Sequence, residues 1–354
     1  MIKFLAAFIF GLLLTGSLRG QDSTVVVNDL SGVVRVEHSG TFEYVSAVGG
    51  IYIVDMLNAN PTPALFLAID EVPGDLALAD SFLYYSLFEE GAVYRVPATQ
   101  TPNPTPELVV GGIVLANGLA IRDEMLYCVS TNSGTLFRVD LSGTDFMAET
   151  VIETGADFAV NISLFNEDIL VNDVSGDRIL RITGLGEGEI PAVSVLVPPG
   201  LISGPNSSLQ FDNFILVSGI FDGNLYAIDT TDYSTVDTLL SGLVQPTGVS
   251  SFSETIYICV RSTGQIISLN RPIVSGTEEV RFADGVSVYP NPASDYLRFD
   301  KLDEELHYQI FNTAGQLVLD GTLTIGASID LRQLQAGPYL LRATDGRSLR
   351  FVKQ

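Results

Sequence analysis

The sequence has no tryptophan, only two histidines (His38 and His307), only two cysteines (Cys128 and Cys259), and no lysine between Lys3 and Lys301. Each shortage removes a class of chemistry. Two separated histidines cannot build a histidine-rich zinc site. A Ser-His-Asp triad would have to use His38, which stands in Val36-Glu37-His38-Ser39-Gly40 and reads as an exposed turn residue with no nucleophile motif beside it. Without lysine, residues 4–300 have no Schiff-base nucleophile. No glycine-rich phosphate loop followed by a helix is present. Beyond the N-terminus no apolar run is long enough to cross a membrane, so the chain is not read as an integral membrane protein.

What is present argues for a folded, strand-rich protein. Of 354 residues, 46% are hydrophobic and 17% charged, a balance that disfavours disorder and supports a sizeable core. Thirty-three glycines among many Val, Ile, Leu, Tyr and Phe point to strands and tight turns. The formal net charge is −24. Such a field repels nucleic acid and anionic membrane surfaces, so neither is an expected partner. The charge is uneven: residues 21–283 hold nine arginines against 33 acids, whereas the last 71 residues hold seven basic against nine acidic residues. That shift marks a domain boundary near 271–285. The acid pairs Glu89-Glu90, Asp123-Glu124, Glu167-Asp168 and Glu278-Glu279 read as solvated turns rather than catalytic dyads.

The N-terminus combines Lys3, an apolar run from Phe4 to Leu14, and the small residues Gly16, Ser17 and Gly20. This is the pattern of a secretory signal peptide over residues 1–20, with cleavage after Gly20 or Ser17.

From there to about residue 275 the chain repeats. A strand, a glycine-bearing turn and a second strand recur around Gly50, Gly91, Gly134, Gly176, Gly223 and Gly264, at spacings of 41, 43, 42, 47 and 41. A period in the low forties is that of a four-stranded propeller blade. A small turn precedes each later hairpin, at Pro73-Gly74, Asn117-Gly118, Val160-Asn161, Pro205-Asn206 and Thr247-Gly248. An outer strand follows, at Leu65–Val72, Glu107–Val110, Glu149–Glu153, Val193–Val197 and Val236–Leu240. Six blades fill 21–275. Either Val25–Asp29 or Glu279–Phe282 supplies the outer strand that closes the ring and removes its free edge. Cys128 and Cys259 then fall on strand b of opposite blades, too far apart for a bridge, and are expected to be free buried thiols.

After a linker at 276–285, residues 286–354 read as short alternating strands joined by turns, the pattern of a small Ig-like β-sandwich. They carry Tyr289-Pro290-Asn291-Pro292, an Ala-Gly turn at Gly315, Gly337 two residues before Tyr339, and a basic end at Lys353. These features in this order resemble the type A sorting domain of type IX secretion. The resemblance implies the type IX machinery as partner and passage through the periplasm and across the outer membrane. It also implies removal of this domain, and attachment to a surface lipopolysaccharide. The mature protein is then secreted or held at the outer cell surface.

The turn-plus-hairpin repeat resembles six-bladed propellers of the NHL and senescence-marker/gluconolactonase type. In the gluconolactonase-like family a divalent metal is held by residues of the turn before the inner strand. Here that column reads Gly74, Asn117, Val160, Asn206 and Thr247. Asn117 and Asn206 are the candidate ligands for Ca2+ or another divalent cation. Asn161 joins them if blade 4 shifts by one residue, Asp75 stands one place off the column, and Asp173 lies near a blade loop. Carboxylates are scarce in the column, and hard cations favour them. Two readings follow: a ligand-binding or interaction module, and a metal-dependent lactonase or related hydrolase.

Overall fold

The computed structural model describes residues 23–39, 42–55, 58, 61–230, 233, 235–252, 255–270, 280–281, 287–290, 293–300, 306–312, 317–324, 326–343 and 348–354. They form two compact units, one within 18–272 and one within 273–354. Every regular element among them is a strand, and none is a helix long and apolar enough to cross a membrane.

The larger unit holds six four-stranded antiparallel sheets. In blade 1, strands a to d are Arg35–Ser39, Phe42–Ala47, Gly50–Asp55 and Ala64–Ala68. The other a strands are Leu76–Ala79, Ala116–Arg122, Ala159–Phe165, Pro205–Phe211 and Pro246–Phe252. Each packs on the a strand of the next blade, and 246–252 returns to 35–39, so the a strands line a closed ring. The fold is an all-β six-bladed propeller.

Blade 6 consists of Pro246–Phe252, Thr255–Val260 and Gln265–Asn270, completed by the N-terminal strand Ser23–Val27, with Ser23 opposite Leu269. Of the two expected closing strands, the N-terminal one does the work, two residues earlier than predicted. It stops before Asp29, whose φ of 63° breaks the extended path. The alternative does not reach the ring: Val280–Arg281 pairs with Ser287–Tyr289 in the second unit. That pairing also puts a strand inside the stretch read as linker. The d strand of blade 1 is shorter than predicted, ending at Ala68, because Ile69 N–H bonds to Gly49 O and the chain turns through Asp70 and Glu71.

The apolar core is divided among the six seams between blades. Tyr44, Ile51 and Phe66 of blade 1 pack on Leu76, Leu83 and Tyr85 of blade 2, and the pattern repeats around the ring. At the closing seam Val27, Leu30, Val36 and Val45 meet Tyr257, Cys259 and Ile266. Cys128 lies in a different seam, and both thiols are free and buried.

The smaller unit is an Ig-like sandwich of two four-stranded sheets. Ala293, Leu297, Ile310, Ile329, Leu341 and Phe351 form its core, and Tyr339 stacks on Phe351 at 5.7 Å. Among the predicted sorting residues, Tyr289 ends a strand, Pro290 is exposed, Gly337 opens the strand Gly337–Ala343, and Lys353 ends Ser348–Lys353. Asn291, Pro292 and Gly315 lie outside the described residues. Ala293 N–H bonds to Val352 O and Gln354 N–H to Ala293 O, so the opening motif and the basic end are spatial neighbours.

The closing strand sets a limit on N-terminal processing. A chain beginning at Asn28 loses buried Val27 and its pairing with blade 6. Urea denaturation should show a loss of ~2–4 kcal/mol, from ~1.5–3 for the valine plus its hydrogen bonds. A chain beginning at Gln21 should keep full stability.

Candidate site in the central channel

The predicted column proves to be a row of bulged residues. In blades 3 to 6 one extra residue stands between strand a and strand b. The register jumps from Ala116 to Leu119, Ala159 to Asn161, Pro205 to Ser207 and Pro246 to Val249. The bulge turns an amide or carbonyl out of the ladder toward the channel. Small residues after it let inner strands approach. A Cβ on Gly118 would sit 2.5 Å from Ile162 N, and one on Gly248 would sit 2.6 Å from Val34 O.

At this level an ion pair joins Arg35 of blade 1 to Asp75 of blade 2, Nε to Oδ1 at 3.1 Å, with both side chains buried. Asp75 Oδ1 also accepts Leu76 N–H at 2.9 Å; Oδ2 accepts Leu119 N–H at 2.9 Å and Asn161 Nδ2 at 2.8 Å. The carboxylate therefore has four donors, from blades 1 to 4. The Arg35 guanidinium continues to Asn206 in blade 5, with Nη1 3.3 Å from Oδ1 and Nη2 3.4 Å from the carbonyl O. Gly248 N–H bonds to Val34 O at 2.8 Å, bringing in blade 6. Every inner strand thus joins one polar hub. Serines of strand b support it: Ser46 and Ser86 accept the backbone N–H groups of Arg35 and Asp75.

A second layer surrounds the hub. Buried Asn172 donates to Asn161 Oδ1 at 3.0 Å and to Ser208 Oγ at 3.1 Å. Two further carboxyls follow, Glu37 near Asp75 and Glu43 near Glu37. Burial, with the charges of Asp75 and Glu43, pushes Glu37 up to about 8, against which a Leu78 backbone hydrogen bond works. Burial pushes Glu43 up to about 8 as well. Asp75 itself is raised by burial and held back by Arg35 and its N–H donors. His38 is not a turn residue. It lies in strand a, stacks on Phe252 at 3.6 Å and bonds to Glu43 at 2.9 Å.

The five predicted site residues separate into two groups. Asp75, Asn161 and Asn206 meet in the hub. Asn117 is partly buried and donates to Thr131 Oγ1 of its own blade at 3.1 Å. Asp173 caps loops of blade 4, accepting N–H groups of Asp157, Phe158 and Gly176 and pairing with Arg178 Nε at 2.8 Å. Burial opposes its ionisation, but these donors hold it below the ordinary carboxylate range. Asp168, read as a solvated turn acid, is buried and paired with Arg181. Arg35, Glu37, Glu43 and Asn172 were missed. The available signal was a charge inside an apolar strand, as in Val33-Val34-Arg35-Val36.

A divalent cation does not fit this donor set. The space among Asp75, Asn161 and Asn206 already holds a permanent cation, the Arg35 guanidinium. Asp75 has its four donors, and Asn161 Oδ1 accepts from Asn172 and, at 3.4 Å, from Ser208 N–H. No group of three His, Cys, Asp or Glu side chains suited to a metal exists among the described residues.

Comparison with known proteins separates the two units. Residues 287–354 match the family described as secretion system C-terminal sorting domain. No curated protein matches the chain in sequence. The propeller is similar to a solved candidate gluconolactonase, with a TM-score of 0.58 and 12% identity over 71% of this chain and 92% of that one. It is also similar to a chain of a nidogen/laminin complex, with a TM-score of 0.55 and 16% identity over 65% and 89%. Virginiamycin B lyase from Staphylococcus aureus gives a TM-score of 0.51 and 12% identity over 70% and 98%. At these identities the likeness is one of fold.

Two outcomes test the hub. Arg35→Met leaves Asp75 buried without its counter-charge and should cost ~3–5 kcal/mol, while Arg35→Met with Asp75→Asn should recover part of that loss. Equal losses in both would refute the pairing. The second outcome concerns pH. In the folded protein Glu37 and Glu43 keep their protons to about 8, whereas unfolded they release them near 4.5. Their contribution to stability should therefore be full below about 4.5, fall as pH rises toward about 8, and then level off, at up to ~1.4 kcal/mol per pH unit for each group. Glu37→Gln with Glu43→Gln should flatten that slope in pH-dependent melting.

Proposed function

We propose that this chain is exported by the type IX route and acts outside the cell as a binding propeller rather than a metal-dependent hydrolase. The sorting-domain match over 287–354 supports the export half. On this reading residues up to Ser17 or Gly20 are a signal peptide removed on entry to the periplasm. The domain from about Val286 is removed at the outer membrane, where attachment to lipopolysaccharide holds some or all of the product at the surface.

The observation that carries the activity half is the Arg35–Asp75 pair. Where a gluconolactonase-like propeller would present oxygen donors to a metal, this chain supplies its own cation and saturates the carboxylate. The gluconolactonase-like neighbours argue for the fold, and the hub argues against carrying their chemistry over. With the channel closed at this level, recognition falls to the loops around its mouth.

Mass spectrometry of protein from the culture medium or cell surface tests the export half. The expected species lacks the N-terminal segment and ends before the sorting domain. A surface species still ending at Lys353-Gln354 would refute removal of the tail. Deleting 286–354 should leave a folded propeller inside the cell envelope. For the activity half, calcium should not shift the melting temperature of the purified protein, and lactones should not be turned over. A calcium-dependent rise in melting temperature accompanied by lactone hydrolysis would overturn the binding reading.

A further inference from the structure

One end of the propeller is built entirely from the d–a connections (28–34, 69–75, 112–115, 154–158, 198–204 and 241–245) and the b–c hairpins (48–49, 88–91, 131–134, 174–177, 220–223 and 261–264). An antiparallel a-b-c-d blade brings these two sets of loops to the same end. Hydrogen bonds knit them together within each blade. Ile69 N–H bonds to Gly49 O, Ile113 to Gly91, Thr154 to Gly134, Leu243 to Gly223 and Leu30 to Gly264. In blade 4, Gly204 N–H bonds to Asp177 Oδ1 at 2.7 Å. All of these loop residues are described.

The face is chemically divided. Val114, Phe221, Val48, Val244, Leu201 and Phe158 are exposed at 71, 66, 53, 51, 38 and 36%. They lie on the b–c hairpins of blades 1 and 5 and on the connections entering blades 3, 4, 5 and 6. The b–c hairpin of blade 2 and the connection entering that blade carry none of them and hold Asp70, Glu71, Glu89 and Glu90 instead, three of them exposed; Val114, whose neighbour Ile113 bonds to Gly91 of that hairpin, adjoins them. Around the ring Asp29, Asp157, Asp177 and Asp222 add further carboxylates, and Arg261 is the one basic residue in all twelve loops. Exposed apolar groups gathered on one rigid face mark an interaction site, and carboxylates on that face select the partner's charge.

Resting on the binding reading above, we infer that this face docks a cationic polypeptide segment that carries apolar side chains among its basic ones. Its apolar groups cover the arc from blade 3 through blade 6 to blade 1, and its basic groups meet the blade 2 carboxylates. Charge excludes the other occupants. A second copy would set eight carboxylates against eight, and anionic lipid or nucleic acid would meet the same repulsion. Because the loops are tied by backbone hydrogen bonds, little ordering is lost on docking.

Fluorescence anisotropy with a fluorescein-labelled peptide of alternating arginine and leucine tests this. The expected result is micromolar binding at low salt that weakens as salt rises. A peptide of arginine and serine, and one of glutamate and leucine, should each bind at least ~10-fold more weakly. Val114→Ser with Phe221→Ser should weaken binding at least ~10-fold, as loss of exposed anchor residues does. Asp70→Lys with Glu89→Lys should do the same and lower the salt dependence. Both pairs are surface changes and should melt like wild type. If the arginine–leucine peptide bound no better than the other two, or both variant pairs bound like wild type, the inference would be wrong. That failure would leave export and the absence of calcium-linked hydrolysis standing. Calcium-linked lactone turnover would instead remove the reading on which it rests.

Discussion

The structure turns on one buried contact, the pair formed by Arg35 and Asp75 in the middle of the propeller. A propeller is a closed repeat in which each blade buries its apolar faces only against its two neighbours. Nearest-neighbour packing alone leaves the axis unfilled, and here the axis is lined by bulged inner strands whose backbone groups point inward. One carboxylate with donors from four blades and one guanidinium reaching a fifth satisfy those groups together. Taking two charges out of water is expensive, and such a pair does not outperform well-packed apolar side chains in stability. Its value lies in identity: six similar blades carry one arginine and one aspartate at this level, so only one arrangement around the ring pairs them.

The same economy of charge runs through the interior. Glu37 stands close enough to Asp75 and Glu43 to feel their charges, and burial keeps the protons of both glutamates on at neutral pH. The hub is then neutral overall, with Arg35 balanced by Asp75. A chain with a net charge of −24 keeps its ionised acids at the surface and its interior acids either paired or protonated. That division is why a strongly acidic composition does not by itself make a cation site. The carboxylates close to the axis are committed or uncharged, and those free to meet a cation sit on loops.

Much of the fold was legible because it follows from spacing. Six hairpin glycines at a period in the low forties give six blades, and the alternating strands on either side give the seams that bury them. What spacing could not give was the pairing of residues distant in sequence. Ser23–Val27 and Glu279–Phe282 are both short alternating segments, and only the fit of Val27 into the cluster of Leu30, Val36 and Tyr257 separates them. The site was half legible for a related reason. Reading the turn before each inner strand picked out the bulged residue, which includes Asn206. The hub also uses the residue after it, where Asp75, Asn161 and Arg35 stand. A bulge places two residues opposite one, so the column itself holds Asn206, Asp75 and Asn161 are reached only one place off it, and Arg35 is missed. His38 was misread as a turn residue because its polar neighbours hide the strand, in which it stands opposite Glu43 and stacks on Phe252.

Filling the axis has a consequence for where specificity can reside. In a propeller with an open, metal-bearing channel, the inner strands present the reactive groups and the loops control access. Here the inner strands spend their polar groups on one another, so on the binding reading proposed above, variation that affects recognition is left to connections outside the hub. Those connections are free to differ because none of them supplies the Arg35–Asp75 contacts directly, apart from Asp75 at the end of its own loop. They are also held in place, since each d–a connection is bonded to the b–c hairpin of its blade. The ring of loops anchors a few side chains in the core, Leu30, Ile113 and Ile202 among them, and leaves its exposed side chains free to vary without changing the fold. The concentration of acids on blade 2 and of exposed apolar groups on the other blades is the form that freedom takes in this chain.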